Sequence, residues 1–268
     1  MGVCDVSRRS RLPVASIMAE PLLRVEGLSR SFGGLLAVDN VSFAVAAGSI
    51  TALIGPNGAG KTTMFAMIAG FLAPDSGRVR FDGVDVTGTP AHVLARNGMA
   101  RTFQIVHPFT GLTVRDNIAV GAYLRHKARA KALAAADAIV QQLGLTKLRD
   151  QPADSLTVAA RKRLELGRAL ATAPRLLLLD EVMAGLNPSE IRDVLPLIRS
   201  IHEAGTTIVL TEHVMQAVMS LSHHIHVLAE GRMIASGTPA DIVGNERVIE
   251  AYLGPGAARR YAPVGRRS

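Results

Sequence analysis

The patterned part of the chain begins near Leu22. LLRVEGL alternates apolar and polar positions, Gly33-Gly34 marks a turn, and LAVDNVSFAV alternates again. A period of two over such runs predicts half-buried β-strands around that turn. Gly48 precedes SITALI, a short apolar run typical of a strand buried on both faces. A glycine-rich loop follows, and residues 62–71 read as a helix. RVRFDGVDV, over 78–86, predicts a hairpin about Asp82-Gly83. Residues 90–150 change character and are mostly helical by composition. In the alanine-rich stretch 125–143, Leu133, Ala136, Ile139, Val140 and Leu143 fall at helical spacing and read as a core-facing stripe. A helix over 161–171 leads into LLLLD, a buried strand. A helix near 189–204, a strand TTIVL, a helix near 214–221 and a strand HIHVLA complete the series. Strands alternating with helices predict a mainly parallel α/β sheet, here with an antiparallel β portion at the front and a helical insertion. No internal repeat is visible.

Composition narrows the class. The 268 residues are 48% hydrophobic and 19% charged, which excludes disorder for the bulk of the chain. One cysteine makes no internal disulfide, so a reducing cytosol fits. The net charge of +8 raises nucleic acid or an anionic membrane as partners. Its location answers that: Arg259, Arg260, Arg266 and Arg267 place +4 in residues 254–268 alone. Residues 22–253 carry only +3, and no nucleic-acid partner is expected. The arginine tail reads as a solvated segment or as a contact with anionic lipid. Nothing approaches the roughly 18 apolar residues of a membrane span. The first 19 residues make a poor signal peptide, and Met18 reads as well as Met1 as a start. Residues 1–21 are expected to form a disordered extension, 22–254 the folded domain with a helical part over about 90–170, and 255–268 a basic disordered tail.

Chemistry enters at GPNGAGKTT. Gly55, Pro56, Asn57, Gly58, Ala59, Gly60, Lys61, Thr62 and Thr63 satisfy the phosphate-loop pattern. Glycines let successive N–H groups curl around an anion, and the following helix adds its positive end. Lys61 is placed to reach the β- and γ-phosphates and the Thr62 hydroxyl to ligate magnesium. A buried strand before and a helix after supply the required context. LLLLDE puts Asp180 and Glu181 at the carboxyl end of a buried strand, the edge where open parallel sheets bind ligands. Asp180 fits the acid that holds magnesium, and Glu181 a group that orients and deprotonates a water.

Further motifs in order make the chain resemble the ATP-binding subunit of ABC transporters over residues 22–254. Phe32, 23 residues before Gly55, matches an aromatic that stacks on adenine, or is a core aromatic. Gln104, in RTFQ, matches the Q-loop glutamine, and LTVAARKRLELGRAL the signature region. Gly185-Leu186-Asn187 matches the D-loop, although Asn187 also suits a turn before Pro188. Thr211-Glu212-His213 matches the switch histidine. The stretches FGGLLAVDNVSF, ARTFQ, LTVRDN and GTPADIVGNERVIEAYLG resemble the branched-chain amino acid subclass. The signature departs from Leu-Ser-Gly-Gly-Gln: Thr157 keeps a hydroxyl, and Ala159 replaces a glycine.

The resemblance implies a phosphate-loop (RecA-like) ATPase core with a mainly parallel sheet, an antiparallel β subdomain and an α-helical subdomain. It implies ATP and Mg2+, with Thr62, Gln104 and Asp180 on the metal and Glu181, His213 and Gln104 in catalysis. Each ATP would lie between the phosphate loop of one subunit and Thr157 and Ala159 of another, with Asn187 nearby. The partners implied are a second ATP-binding subunit (a paralogue or an identical copy), two transmembrane permease subunits and, indirectly, a periplasmic solute-binding protein. The chain would sit peripherally on the cytoplasmic face of the inner membrane. Residues 104–117 are the expected docking surface. The alternatives are an ATPase subunit for urea, amides or aromatic acids, a non-transport ABC-type ATPase, or a non-catalytic nucleotide-gated protein.

Overall fold

The computed structural model describes residues 20–103 and 107–254. The expectations for residues 1–19, for Gln104 and for the 255–268 tail lie outside the described residues. The first half runs β1 (Leu23–Phe32), β2 (Leu35–Val45), β3 (Ile50–Ile54), α1 (Lys61–Ile68), β4 (Ser76–Phe81), β5 (Val84–Asp85), α2 (Ala91–Arg96), β6 (Met99–Arg101), α3 (Val114–Ala122) and α4 (Arg129–Gln142). The second half runs α5 (Val158–Leu170), β7 (Leu176–Asp180), α6 (Pro188–Glu203), β8 (Thr207–Thr211), α7 (Met215–Leu221), β9 (His224–Ala229), β10 (Arg232–Gly237), α8 (Pro239–Val243) and α9 (Glu246–Leu253).

Two sheets result. The alternating front strands form a four-stranded antiparallel sheet in the order β2-β1-β4-β5. The apolar runs form a second sheet in the order β10-β9-β3-β8-β7-β6, parallel throughout except for the antiparallel edge strand β10. The strand LLLLD shows why such runs are continuous rather than alternating. Leu177 and Leu179 face one core with α3–α7, while Leu176 and Leu178 face another with α1 and the antiparallel sheet. Met64, Phe65, Met67 and Ile68 of α1 fill the space between the two sheets. The helix that carries the phosphate loop is therefore held from both sides. Register then aligns the chemistry: β7 pairs with β8 so that Asp180 lies beside Thr211.

Two expected helix bounds need correction, and one strand was absent from the sequence reading. Within the mostly helical stretch 90–150, Met99–Arg101 forms β6 and pairs with β7 in the central sheet. Three residues are too few to show a period. The helix expected at 161 starts at Val158, where Thr157 caps it by accepting the Ala160 N–H at 3.3 Å. Helix α1 stops at Ile68, ahead of Gly70, rather than at 71. Among the described residues no helix is long and apolar enough to cross a membrane.

Candidate active site

The loop from Gly55 to Gly60 joins β3 to α1 and is built on close backbone approach. A Cβ on Gly55 would lie 2.1 Å from the Leu228 carbonyl oxygen. At Gly60, where φ is +96°, it would lie 2.4 Å from the Ala37 carbonyl oxygen. Only glycine lets the loop seat this tightly on its supports. The first turn of α1 has no side-chain cap and no acidic residue, so its N–H groups and positive dipole end are presented to the loop. Lys61 is 6% exposed and donates to the carbonyls of Gly55 (2.8 Å) and Pro56 (3.0 Å). Burial pulls its pKa down, against the carboxylates of Glu181 and Asp180, which pull it up. A cavity of about 460 Å³ opens above the loop. Asn57, Gly58, Ala59, Lys61, Thr62 and Thr63 line it, Leu35 and Leu36 form one wall and Glu181 another. The glycine cradle, the ammonium and the room fit a nucleotide phosphate chain.

Asp180 ends β7 at 3% exposure, so it is no solvent-facing strand terminus. Its Oδ1 accepts the Thr211 hydroxyl at 2.8 Å, and its Oδ2 accepts the Arg101 guanidinium at 2.6 Å. Thr62 and Asp180 both face a second cavity of about 480 Å³. A carboxylate and a hydroxyl suit a hard divalent cation, so this donor set fits magnesium. Glu181 departs from the strand with φ at +47°, a conformation that costs a non-glycine residue of order 1–2 kcal/mol. Surrounding bonds hold it there. Its N–H donates to the Thr211 carbonyl at 3.0 Å, and the Lys162 ammonium donates to its carbonyl at 3.2 Å. The Met183 N–H donates to the buried Glu212 carboxylate at 2.9 Å. His213 Nε2 lies 2.6 Å from Glu181 Oε1. Glu212 is pushed up to about 7, mainly by burial, with the Glu181 charge adding to it. Lys162 is pulled down by burial, against Glu212, Glu181, Asp180 and Glu165.

The sequence profile described as "ABC transporter" matches residues 38–184. The chain belongs to the ABC transporter family. A second profile, described as a branched-chain amino acid ATP-binding cassette transporter, matches residues 232–255 of this ABC subunit. The high-affinity branched-chain amino acid transport ATP-binding protein BraF of Pseudomonas aeruginosa is 40% identical, covering 88% of this chain and 99% of that protein. LivG of Escherichia coli K12, with the same descriptive name, is 40% identical over 88% of this chain and 99% of its own. A nucleotide-free ATP-binding cassette from an ABC transporter superposes with a TM-score of 0.79 at 31% identity, covering 87% of this chain and 98% of that one. An ADP conformation of such a cassette gives 0.78 at 31%, covering 87% and 99%. This chain is an ATPase of the ABC class, with the cassette fold.

The remaining expected site residues of the ABC subunit divide clearly. Glu181, Lys61, Thr62 and the loop meet at one cavity. Phe32 is 46% exposed, which rules out a core role, and Arg30 stacks 5.2 Å from its ring centroid. Leu35 and Leu36, rather than Phe32, line the cavity. Thr157 and Ala159 stand at the start of α5, and neither lines the cavity of its own subunit. The Asn187 side chain caps α6 in a capping box with Glu190, accepting the N–H groups of Ser189 and Glu190 at 3.0 Å each. Gln104 lies outside the described residues. Sequence reasoning missed Arg101, Lys162 and Glu212. Glu212 carried a signal, as an acid two residues after the apolar run TTIVL and directly before His213.

Proposed function

We propose that this ABC subunit hydrolyses ATP to power a membrane importer of branched-chain amino acids. The observation that carries the reading is that one cavity is lined by both the phosphate loop and Glu181. Lys61 lets go of the loop carbonyls and donates to the β- and γ-phosphate oxygens. Glu181 orients a water and takes its proton as the oxygen attacks the γ-phosphorus. The bond to the bridging oxygen breaks and ADP leaves. His213 holds the Glu181 carboxylate at 2.6 Å, so the base is oriented before substrate arrives. Thr62, Asp180 and Gln104 would hold Mg2+, whose charge offsets that of the phosphates in the transition state. Phe32 offers its ring to adenine.

The subunit pairs with a second ATP-binding subunit. Thr157 and Ala159 meet that subunit's ATP, and Asn187 lies near the shared boundary. Val158, 55% exposed between them, is an apolar side chain placed to be covered by such a partner. Two permease subunits dock at the exposed aromatics Phe71 (53%), Phe103 (41%) and Phe109 (42%). Arg168 stacks on Phe109 at 4.5 Å. Arg115, in the expected docking stretch, pairs with Asp137 of α4 at 2.6 Å. A periplasmic solute-binding protein delivers the amino acid, and this subunit works peripherally at the cytoplasmic face of the inner membrane. The BraF and LivG names and the profile over 232–255 support the substrate class.

The test is reconstitution with its permeases and binding protein in vesicles. ATP-dependent uptake of leucine, isoleucine and valine is expected. Uptake of urea or an aromatic acid, with none of these three, would replace the substrate reading.

A further inference from the structure

We propose that Arg101 is a resident cation on Asp180 that leaves when a divalent metal takes the carboxylate, coupling metal loading to the exposed Phe71–Phe103 surface. The proposal rests on the reading of Asp180 as a metal-holding group. Arg101 and Asp180 are joined at 2.6 Å with side chains only 9% and 4% exposed. This is a buried charge pair rather than a surface bridge, and each charge depends on the other for compensation. Thr211 donates to Oδ1 and Arg101 to Oδ2, so the guanidinium occupies the side of the carboxylate that a metal would approach from the shared cavity. Thr62, the other candidate metal donor, faces the same cavity as Arg101 and Asp180. A divalent cation at Thr62 and Asp180 would therefore sit within a few ångströms of the guanidinium. Two cations at that spacing in a poorly screened site repel strongly.

Arg101 has a second seat already in contact. Its guanidinium carbon lies 5.6 Å from the ring centroids of both Phe71 and Phe103. Those rings meet edge-on at 5.4 Å and 81°, and both are exposed. A planar guanidinium keeps a favourable site over an aromatic face when it loses its carboxylate. Among the described residues the buried Arg101 Nε has no hydrogen-bond partner, so none of them fastens this end of the side chain against such a shift. Because coupling between sites is reciprocal, whatever covers Phe71 and Phe103 also changes metal affinity at Asp180.

The experiment measures free Mn2+ by electron paramagnetic resonance while it is titrated into the full chain with ADP. Arg101→Met is expected to bind Mn2+ roughly tenfold or more tightly than the parent, since the competing charge is gone. Its nucleotide-free form should melt below the parent, because Asp180 is left unpaired, and Mg2+ with ADP should narrow that gap. Unchanged or weaker Mn2+ binding by Arg101→Met overturns the competition. If Arg101→Met does not fold, Arg101→Gln is measured instead. It is neutral but keeps an N–H donor for the Asp180 carboxylate, so tighter Mn2+ binding is again expected, and unchanged binding again overturns the proposal. Asp180→Asn separates the underlying reading. If Asn leaves parental Mn2+ affinity intact, Asp180 is not the metal-holding group and that reading fails with the proposal. If Asn weakens binding and the Arg101 variants do nothing, only the proposal fails. The chain has no tryptophan, so Phe103→Trp reports the surface alone. Its emission should shift on adding Mg2+ with ADP and stay constant when Arg101→Met is added; equal shifts in both backgrounds overturn the coupling.

Discussion

Replacing Glu212 by glutamine removes a buried charge and keeps an oxygen for the Met183 N–H. Glu212 is 3% exposed, and its pKa is raised from 4.5 to about 7, first by burial and then by the Glu181 carboxylate, with Lys162 opposing. The unfolded chain loses this proton near 4.5, whereas the folded chain keeps it to about 7. Stability therefore falls as pH rises through that window and stays lower above it. A shift of this size corresponds to about 3 kcal/mol at full effect. Glutamine is neutral throughout, so Glu212→Gln should match the parent near pH 4 and exceed it near pH 8 by up to about 3 kcal/mol. For a domain of this size that is roughly 6–12 °C in Tm. The assay is thermal melting of parent and variant across that range. A Tm difference that does not change with pH, or a variant less stable at the alkaline end, refutes the reasoning.

His226 is buried beside Phe43 and is pulled down to about 4, first by burial and then by His224. The unfolded imidazole gains a proton near 6.5, so the stability contributed by neutral His226 is lost as pH falls from there towards 4; relative to the parent, His226→Gln should gain about 2 kcal/mol on going from about pH 7.5 to pH 5, read as the difference between the two melts at each pH. Asn187→Ala removes the α6 capping box and should destabilise by about 0.5–2 kcal/mol in urea unfolding, with Asn187→Ser restoring most of it. Gly60→Ala forces a Cβ into the Ala37 carbonyl at a positive φ. It should cost at least about 1 kcal/mol in the same unfolding assay and weaken ADP binding in a titration.

Much of the fold was legible because its signals are local. The alternating front strands, the doubly buried LLLLD and the phosphate loop each show their period or spacing over a handful of residues. The elements missed lack that. Strand β6 is three residues long, and the edge strand β10, RMIASG, is half exposed and has no clean alternation. The main site was legible where one contiguous motif builds it, as at Gly55–Thr63 and Asp180-Glu181. The clamp on Glu181 was not, since Lys162, Thr211 and Glu212 meet it from α5, from β8 and from the residue after β8, a juxtaposition that only the sheet order creates. Arg101 was hidden for the same reason, because β6–β7 pairing brings it to Asp180, 79 residues away in the sequence. The pairing of Arg115 with Asp137 within the helical layer was equally hidden, since the two stand 22 residues apart on different helices.

The central claim is that Glu181 takes the proton of the attacking water. Its most direct test is phosphate release from Mg2+ and ATP by the parent and by Glu181→Gln, with nucleotide binding measured on both. Glutamine keeps the size of the side chain but cannot accept that proton, so binding should persist while release falls by at least about 100-fold. Release at the parental rate by the glutamine variant would contradict the assignment.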